Sequence, residues 1–340
     1  MASRLTTFGN DLYTGKRSFD FVAKRKLWFI IVGALVLISI LIPVVRGGFN
    51  LGIEFRGGSQ FQITGVSDAE TQPATDAVAS VVPDAVAHVT IVGGGSGVRV
   101  QTDQLTTAET KDVATALEDA YDVTEADVSS SFIGPVWGAD ITRQTIQGLL
   151  VFLLLAAVGM ALYFRTWKMS LAAIVALLVD LVITSGVYAA SGFEVTPAAI
   201  IGLLTILAYS LYDTVVVFDK IRENTQEDVV ETKRTFAESV NLAVNQTLVR
   251  SINTSVIAAL PVASILFIGA FALGADTLRD ISLALLIGIL VGTWSTVFLA
   301  APLYSMLREG EKNVKKHDAK VRSIRERTAA DAAPAEEITV

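Results

Sequence analysis

Two residues of opposite charge lie in apolar segments of the sequence and are its best candidates for chemistry. Asp213 lies in TPAAIIGLLTILAYSLYDTVVVF (196–218), and Arg250 lies near the start of the next apolar segment, in NQTLVRSINTS. A carboxylate within the hydrocarbon of a membrane costs at least about 2.5 kcal/mol, so such acids usually face a protein interior and often relay protons or ions. The two charges fall at similar depth on consecutive antiparallel spans, so we expect them to pair.

Protonation of Asp213 would neutralise it, release Arg250 and change the free-energy difference between two arrangements of the helices. A proton that crosses the membrane potential carries about 2.3 kcal/mol per 100 mV, which is enough to bias such a two-state element. Tyr209 and Ser210 share a helix face with Asp213, because they precede it by four and three positions. The alternative is a static buried ion pair that only fixes the register of two helices.

Three further aspartates lie in or beside apolar segments. Asp180, in ALLVDLVI, is nearer the middle of its segment and is the second candidate for the proton relay. Asp219 is turned about 120° from Asp213 around the helix and stands beside Lys220, so we expect a surface ion pair. Asp280 begins the last apolar segment at the outer surface, where water hydrates a charge cheaply, so we expect it to be structural.

The composition is that of an integral membrane protein, with 52% hydrophobic residues and a mean hydropathy of +0.53. Six segments approach the length of about 20 apolar residues that a helix needs to cross a bilayer. They are residues 27–45, 146–164, 169–190, 196–218, 249–271 and 281–305. In the last of them, Gly288 and Gly292 form a face of small residues on which another helix can pack closely.

The distribution of basic residues predicts the orientation, because Lys and Arg accumulate on the cytoplasmic side. Six basic residues precede Trp28 and eight follow Tyr304, whereas residues 46–145 contain five basic and fourteen acidic ones. We therefore expect a multi-pass membrane protein with both termini in the cytoplasm. Residues 46–145 are then an extracytoplasmic domain.

The bounds of the six segments and the predicted orientation also place the remaining parts of the chain. Residues 1–26 form a cytoplasmic N-terminal segment, residues 219–247 a cytoplasmic loop, and residues 306–340 a charged tail of low apolar content that we expect to be disordered. The basic half of this tail gives no reason to predict a nucleic-acid partner. The predicted partner of the apolar segments is the lipid bilayer.

The extracytoplasmic segment has the pattern β-α-β-β-α-β, which predicts a small ferredoxin-like α+β domain. The fold class is therefore six transmembrane helices plus one such domain. The sequence contains no cysteine, which excludes disulfides and thiolate metal sites. No histidine has a second ligand at metal spacing, so we expect no cofactor and only protons as a coupling ion.

Four segments of the sequence resemble the motifs of one known family. FNLGIEFRGGSQ (49–60) is similar to a G-I-D-F-x-G-G segment. AYSLYDTVVVFDKIREN (208–224) resembles a G-Y-S-x-N-D-T-x-V-V-x-D-R-I-R-E-N pattern, and QTLVRSINTS (246–255) and LRDISLALLIGILVGTWST (278–296) follow in order. By these segments the chain resembles the SecF family of protein-export subunits, which with SecD belongs to the resistance-nodulation-division superfamily.

This resemblance implies that Asp213 is the proton carboxylate of the fourth span, Arg250 its partner and Asp180 an acidic family position. Ala208 and Tyr212 depart from the usual glycine and asparagine beside the acid. The resemblance also implies a non-enzymatic role in late polypeptide export across the bacterial cytoplasmic membrane, driven by the proton gradient through proton-linked movement of the extracytoplasmic domain. The implied partners are a SecD-like six-helix subunit, a SecYEG-type channel and the translocating polypeptide.

Three other functions stay open at this point. One is half of a proton-driven exporter of small molecules or lipids, although a domain of about 100 residues leaves little room for a drug-binding channel. Another is a passive scaffold of the translocation channel. The third is an intramembrane aspartyl protease that uses Asp180 and Asp213, but paired catalytic acids must share one site, and the sequence places these two at different depths.

Overall fold

The computed structural model describes residues 4–92, 95–164, 166–272 and 276–332 of the 340-residue chain. An α+β domain lies between the first two of six long apolar helices. The end of the helical bundle next to this domain is called the domain end below, and the other end is called the terminal end. The prediction of six membrane-spanning helices with one inserted α+β domain is confirmed.

Helices and strands alternate within the α+β domain, and only helices follow it. The helices are α1 (Arg4–Tyr13), α2 (Arg25–Val45), α3 (Ile53–Arg56), α4 (Gln72–Val81), α5 (Thr107–Tyr121), α6 (Pro135–Phe164), α7 (Trp167–Ser191), α8 (Pro197–Glu231), α9 (Phe236–Ser264), α10 (Asp276–Ser295), α11 (Ala301–Glu309) and α12 (Lys312–Ala332). The strands are β1 (Gly58–Thr64), β2 (His88–Val92), β3 (Gly97–Thr102) and β4 (Val128–Ile133). Helices α2, α6, α7, α8, α9 and α10 with its continuation α11 are long and apolar enough to cross a membrane.

The α+β domain is a four-stranded antiparallel sheet in the order β2-β3-β1-β4, with α4 and α5 packed on one face. Alternation along β1 and β3 sends fully buried side chains to that face, where Phe61 pairs with Val100 and Ile63 with Val98. The intervening residues of both strands are polar and form the opposite face. This topology is the ferredoxin-like arrangement expected from the sequence.

Two consecutive glycines begin β1 because the chain approaches another strand closely there. Gly57 and Gly58 have positive φ angles of 78° and 129°, which other residues rarely adopt. A Cβ atom on Gly58 would also overlap the carbonyl oxygen of Thr102 on β3. The glycine pair therefore fixes how the chain passes from α3 into the sheet.

The short loop between α7 and α8 is bound to the chain that enters the domain. Its backbone at Val195 exchanges hydrogen bonds with the carbonyl of Asn50 and the N–H of Gly52, at 2.6 and 3.0 Å. Gly192, with φ of 75°, ends α7, and the hydroxyl of Thr196 caps α8. Both ends of the loop are thus held by helix caps, and its middle is held by the domain.

Helices α8 and α10 pack closely because α10 presents glycines to α8. A Cβ atom on Gly288 would overlap the side chain of Ile206, and one on Gly292 would lie 2.9 Å from Ser210. Small residues at such positions let helix backbones approach each other. Two π-helical segments, Ile265–Ala272 and Thr296–Ala300, continue α9 and α10.

The long cytoplasmic loop predicted for residues 219–247 does not form. Helix α8 continues to Glu231 and α9 begins at Phe236, so the connection is only four residues long. Thr235 and Glu238 form a reciprocal capping box that starts α9 well before its apolar part. Hydropathy alone predicted that α8 ends and α9 begins at the limits of their apolar segments. In the structure both helices continue into the polar residues beyond those limits.

The tail predicted to be disordered also differs over its first part, because Lys312–Ala332 form α12. Val314 and Val321 of this helix are 6% and 0% exposed. Arg325 binds Glu238 of α9 at 2.7 Å, and a ring nitrogen of His317 lies 2.9 Å from the Arg234 carbonyl. Two buried valines and these polar contacts dock α12, and residues 333–340 lie outside the described part of the chain.

Candidate functional site

Asp213 lies inside the helical bundle, where α8 meets α9. It is 6% exposed, and its Oδ1 atom accepts a hydrogen bond of 2.8 Å from the Ser251 hydroxyl. Within the described residues its buried Oδ2 atom has no hydrogen-bond partner. A carboxylate with one bonded and one unbonded oxygen, enclosed in apolar helices, can gain or lose a proton with little competition from fixed partners.

Arg250 does not form the direct pair that we expected with Asp213. Its side chain is exposed, and no ion pair joins the two residues among those the structure describes. The arginine still acts electrostatically on Asp213 over a longer distance. Because successive helical residues are turned by about 100°, Ser251 rather than Arg250 faces α8.

Asp180 of α7 is buried against α8, the helix that carries Asp213. It is 2% exposed, and its Oδ2 atom accepts a hydrogen bond of 2.5 Å from Ser210 of α8. Ser210 precedes Asp213 by three residues and thus lies on the same face of α8. Asp180 of α7 therefore contacts α8 about one turn from Asp213, but each acid binds its own serine.

A polar layer connects the four helices around these acids. Besides the two acid–serine bonds, Thr214 of α8 and Thr296 lie 3.1 Å apart, and the hydroxyls of Ser255 and Thr293 are in hydrogen-bond contact. Thr296 begins the π-helical segment after α10, a form that often occurs at functional sites. We use the name polar layer for Asp180, Ser210, Asp213, Thr214, Ser251, Ser255, Thr293 and Thr296.

Unbonded polar atoms continue from the polar layer along α7 toward the domain end. In the described structure, the Oδ1 atom of Asp180, the Oγ1 atom of Thr184 and the hydroxyl of Tyr188 are buried without a hydrogen-bond partner. Their spacing of four residues places them on one helix face, over a rise of about 12 Å. Buried polar groups normally have partners, so these three groups retain unused capacity to form hydrogen bonds.

A second buried polar group lies at the domain end, near Tyr188. We name it the domain-end cluster, which consists of Arg99, Gln101, Glu194, Thr196 and Asp280. Except for Gln101, these side chains line one cavity of about 510 Å³, together with Glu54, Gln60 and Gln62. Charged groups of this cluster interact electrostatically with Tyr188.

Asp280 is less hydrated than its position at the start of α10 suggested. It is 2% exposed, accepts a hydrogen bond of 3.0 Å from Thr196 and lies 3.5 Å from Arg279. Contacts with Thr196 of α8 and with Arg279, rather than bulk solvent, surround most of the carboxylate. The structural role of Asp280 stays a prediction.

Asp219 does not form the surface ion pair predicted with Lys220. Its Oδ2 atom accepts a hydrogen bond of 2.8 Å from the Tyr163 hydroxyl of α6, and Lys220 binds Glu223 at 2.6 Å. The lysine pairs with the acid three residues away because that acid lies on its own helix face. Asp219 thus joins α6 to α8 away from the polar layer.

Sequence reasoning missed Ser251, Thr184, Tyr188 and Glu194. Ser251 follows Arg250 directly, and the opposite charges of Arg250 and Asp213 predicted a pair that the structure replaces by the Ser251–Asp213 hydrogen bond. Thr184 and Tyr188 follow Asp180 by four and eight residues, a spacing that is visible in the sequence and predicts one helix face. Glu194 lies in a short loop, where nothing in the sequence indicates that the side chain is covered by a distant strand.

The motifs at this site match known protein families. Residues 112–310 match the family described as Protein export membrane protein SecD/SecF, C-terminal, and residues 45–65 match the SecD/SecF GG Motif. The first match contains all eight residues of the polar layer. The second contains the glycine pair that begins β1.

Whole-chain relatives agree with these matches. The chain is 42% identical to Protein translocase subunit SecF of Streptomyces coelicolor over 335 residues, which cover 98% of this chain and 88% of the relative. It is also 42% identical to the protein of the same name from Mycobacterium tuberculosis, over 93% of this chain and 73% of the relative.

A solved structure shares the fold as well as the sequence. Crystalline SecDF from Thermus thermophilus, described as a translocon-associated membrane protein, superposes with a TM-score of 0.75 at 28% identity. The match covers 86% of this chain and 39% of that one, so the present chain spans about two fifths of the SecDF length. The chain therefore belongs to the SecD/SecF family of protein-export membrane proteins, and it is a multi-pass membrane protein with a role in translocation by the Sec pathway.

Proposed function

We propose that this chain uses the proton gradient across the bacterial cytoplasmic membrane to promote a late step of polypeptide export. The observation that carries the proposal is Asp213, a carboxylate buried between helices with one bonded and one unbonded oxygen. Such a group binds a proton reversibly when water reaches it. The family relationship supports the export role, and the geometry of the acid supports proton coupling.

Protonation of Asp213 would alter the contacts that hold α8 against α9. The charged form accepts the Ser251 hydrogen bond strongly, whereas the neutral acid can also donate one. The hydroxyl contacts of Thr214 with Thr296 and of Ser255 with Thr293 connect this change to α10. One proton moved through 100 mV supplies about 2.3 kcal/mol, which can shift a helix arrangement whose states differ by a similar amount.

The row of unbonded atoms on α7 is the proposed route for the proton. It begins at Tyr188 beside the domain-end cluster, passes Thr184 and ends at Asp180 of α7, which accepts a hydrogen bond from Ser210 of α8, about one turn from Asp213. A file of water molecules bound to these groups would connect the 510 Å³ cavity with the polar layer. The proton would enter from the side of the α+β domain.

Replacement of Thr184 by valine is expected to slow this transfer without changing the fold, because valine has nearly the same shape and lacks the hydroxyl. Gradient-stimulated export should fall severalfold, while export in the absence of a gradient stays unchanged. The same assay on Thr205→Val provides the control, since Thr205 is exposed on α8 and bonds only its own helix among the described contacts. Equal export by Thr184→Val and wild type would contradict the route.

Arg250 indicates where a second subunit binds. Its neighbour in sequence, Ser251, contacts Asp213, which places Arg250 at a similar depth to this buried acid. The side chain of Arg250 itself is exposed. A charge at this depth is costly in lipid and is normally covered by protein. Tyr212, on the neighbouring α8, is 55% exposed. We infer that a SecD-like six-helix subunit covers this surface, as the paired repeats of transporters do.

The Arg250→Met variant is expected to weaken association with that subunit. Methionine keeps an apolar contact but removes the charge that would pair with an acid of the partner. Co-purification of the two subunits in detergent should fall several-fold, and gradient-stimulated export should fall with it. Unchanged association and unchanged stimulation would show that this surface of α9 faces lipid.

Both termini are proposed to lie in the cytoplasm, with the α+β domain outside. Lys24 precedes α2, Arg25 and Lys26 begin it, and the basic helix α12 lies at the same terminal end. The domain at the other side is acidic. In this orientation the domain meets the polypeptide that leaves a SecYEG-type channel.

The direct test of this function is export of a secreted reporter into membrane vesicles that contain the assembled subunits. Stimulation by a proton gradient should disappear when an ionophore collapses the gradient or when this chain is omitted. Equal export with and without the chain at every gradient would contradict the proposal. Gradient-driven loss of a dye or lipid from the same vesicles, with no effect on the reporter, would instead support an exporter of small molecules.

A further inference from the structure

A buried contact joins the polar face of the domain sheet to the loop between α7 and α8. Glu194 of that loop accepts a hydrogen bond of 2.9 Å from Gln101, and its Oε2 atom lies 3.5 Å from the Nη1 atom of Arg99. Arg99, Gln101 and Glu194 are 7%, 8% and 9% exposed. A carboxylate of the membrane part thus holds two neighbouring positions of β3, which are more than 90 residues distant in sequence.

The contact is directional, because its atoms are polar and its side chains are almost completely buried. Apolar surfaces tolerate sliding, whereas a buried carboxylate is stable only where its donors meet it. The facing residues of β1, Gln60 and Gln62, are polar as well and line the same cavity. In the described structure the polar face of the sheet therefore contacts the loop between α7 and α8 through the Gln101–Glu194 hydrogen bond and the Arg99–Glu194 ion pair, which favour the docked position.

The loop that carries Glu194 is placed between the domain and the two acids. It connects α7, which carries Asp180, with α8, which carries Asp213. Caps at Gly192 and Thr196 make it a direct continuation of both helices. Thr196 also binds Asp280, so α10 is connected to the same point. Any displacement of α7 or α8 along its axis moves Glu194 relative to β3.

We propose that Glu194 is the positioning residue that couples the α+β domain to the helices of the proton site. Its bonds to Arg99 and Gln101 hold the domain in the docked position described here. When α7 and α8 move, the carboxylate leaves these donors and the domain changes position. The inference rests on the proposed function, because proton binding is what moves the helices.

Distance measurements between two spin labels test the docked position. The sequence has no cysteine, so Asp119→Cys on α5 and Ala190→Cys at the end of α7, both at exposed positions, give one labelled pair. The assembled complex in lipid nanodiscs is measured with wild-type Glu194, Glu194→Gln and Glu194→Ala. The ratio of displaced to docked domain should rise about tenfold or more in Glu194→Ala, because Arg99 and Gln101 lose the buried carboxylate that they contact.

Two variants make this measurement specific. Glu194→Gln keeps an oxygen that accepts from Gln101 and loses only the charge, so its effect should be smaller than that of Glu194→Ala. Glu54→Gln removes a carboxylate from the same cavity, and in the described part of the chain Glu54 makes no hydrogen bond or ion pair. It should keep the wild-type distances. Identical distance distributions in wild type and Glu194→Ala would overturn the proposal.

A second readout separates coupling from docking. In the vesicle assay, Glu194→Ala should lose most of the gradient stimulation while gradient-independent export and subunit assembly remain. A displaced domain with undiminished stimulation would refute a coupling role. If wild type itself shows no gradient stimulation, the proposed function fails, whereas the spin-label distances still decide whether Glu194 holds the domain.

Discussion

Replacement of Asp213 by asparagine is expected to remove the gradient-stimulated part of polypeptide export completely. Asparagine has the shape of the acid and its side-chain oxygen can still accept the hydrogen bond from Ser251, so the helices keep their packing. It cannot bind and release a proton near neutral pH. Export should therefore equal the level that wild type shows after its gradient has been collapsed, and it should not respond further to an ionophore.

The matched control for this prediction is Asp219→Asn, six residues later on α8. It removes the same charge from the same helix, but Asp219 contacts Tyr163 and lies outside the polar layer. Its gradient stimulation should stay close to that of wild type. Retention of full stimulation in Asp213→Asn would show that export is coupled through another group or that the chain is a passive scaffold.

Replacement of Gly288 by valine is expected to have the largest effect on stability. A Cβ atom at this position overlaps Ile206 of α8, and the two additional methyl groups of valine need still more space. Overpacking in a tightly packed interior costs about 1–3 kcal/mol and sometimes more. Helices α8 and α10 would separate, so the polar layer between them would open. Thermal unfolding in detergent and the amount of folded protein in membranes measure this loss.

Gly148→Val on α6 is the control for this substitution. A Cβ atom at Gly148 meets no other atom within 4 Å, so the same change of residue type introduces no overlap. Its unfolding temperature should stay within a few degrees of wild type. A similar loss of stability in both variants would mean that glycine in these helices matters for another reason than close packing.

The class of fold could be predicted from the sequence because the patterns that identify the spans and the strands are local. Apolar segments near 20 residues identify spans, and alternation in β1 and β3 identifies the sheet. Helix ends were less predictable. The polar capping box at Thr235 and Glu238 begins α9 within the stretch that hydropathy assigned to a loop, since capping chemistry and hydrophobicity are independent signals.

The acids of the site could be predicted from the free-energy cost of burying a charge, but their hydrogen-bond partners could not. A charged residue in an apolar segment is recognisable in the sequence because burial is expensive. Which neighbour binds it depends on helix rotation, and a single step of about 100° exchanges Arg250 for Ser251. The domain-end cluster depends on tertiary contact between β3 and a loop more than 90 residues away, which local patterns do not contain.

The ionisation of Asp213 is the property on which the whole account depends, and infrared difference spectroscopy measures it directly. In the assembled complex, lowering the pH should produce the carbonyl stretching band of a protonated carboxylic acid. We predict that this band shifts in ¹³C-aspartate-labelled protein and is missing from Asp213→Asn. A complex that exports in response to the gradient, yet shows the same carboxyl spectrum with and without Asp213 at every pH, would contradict the account.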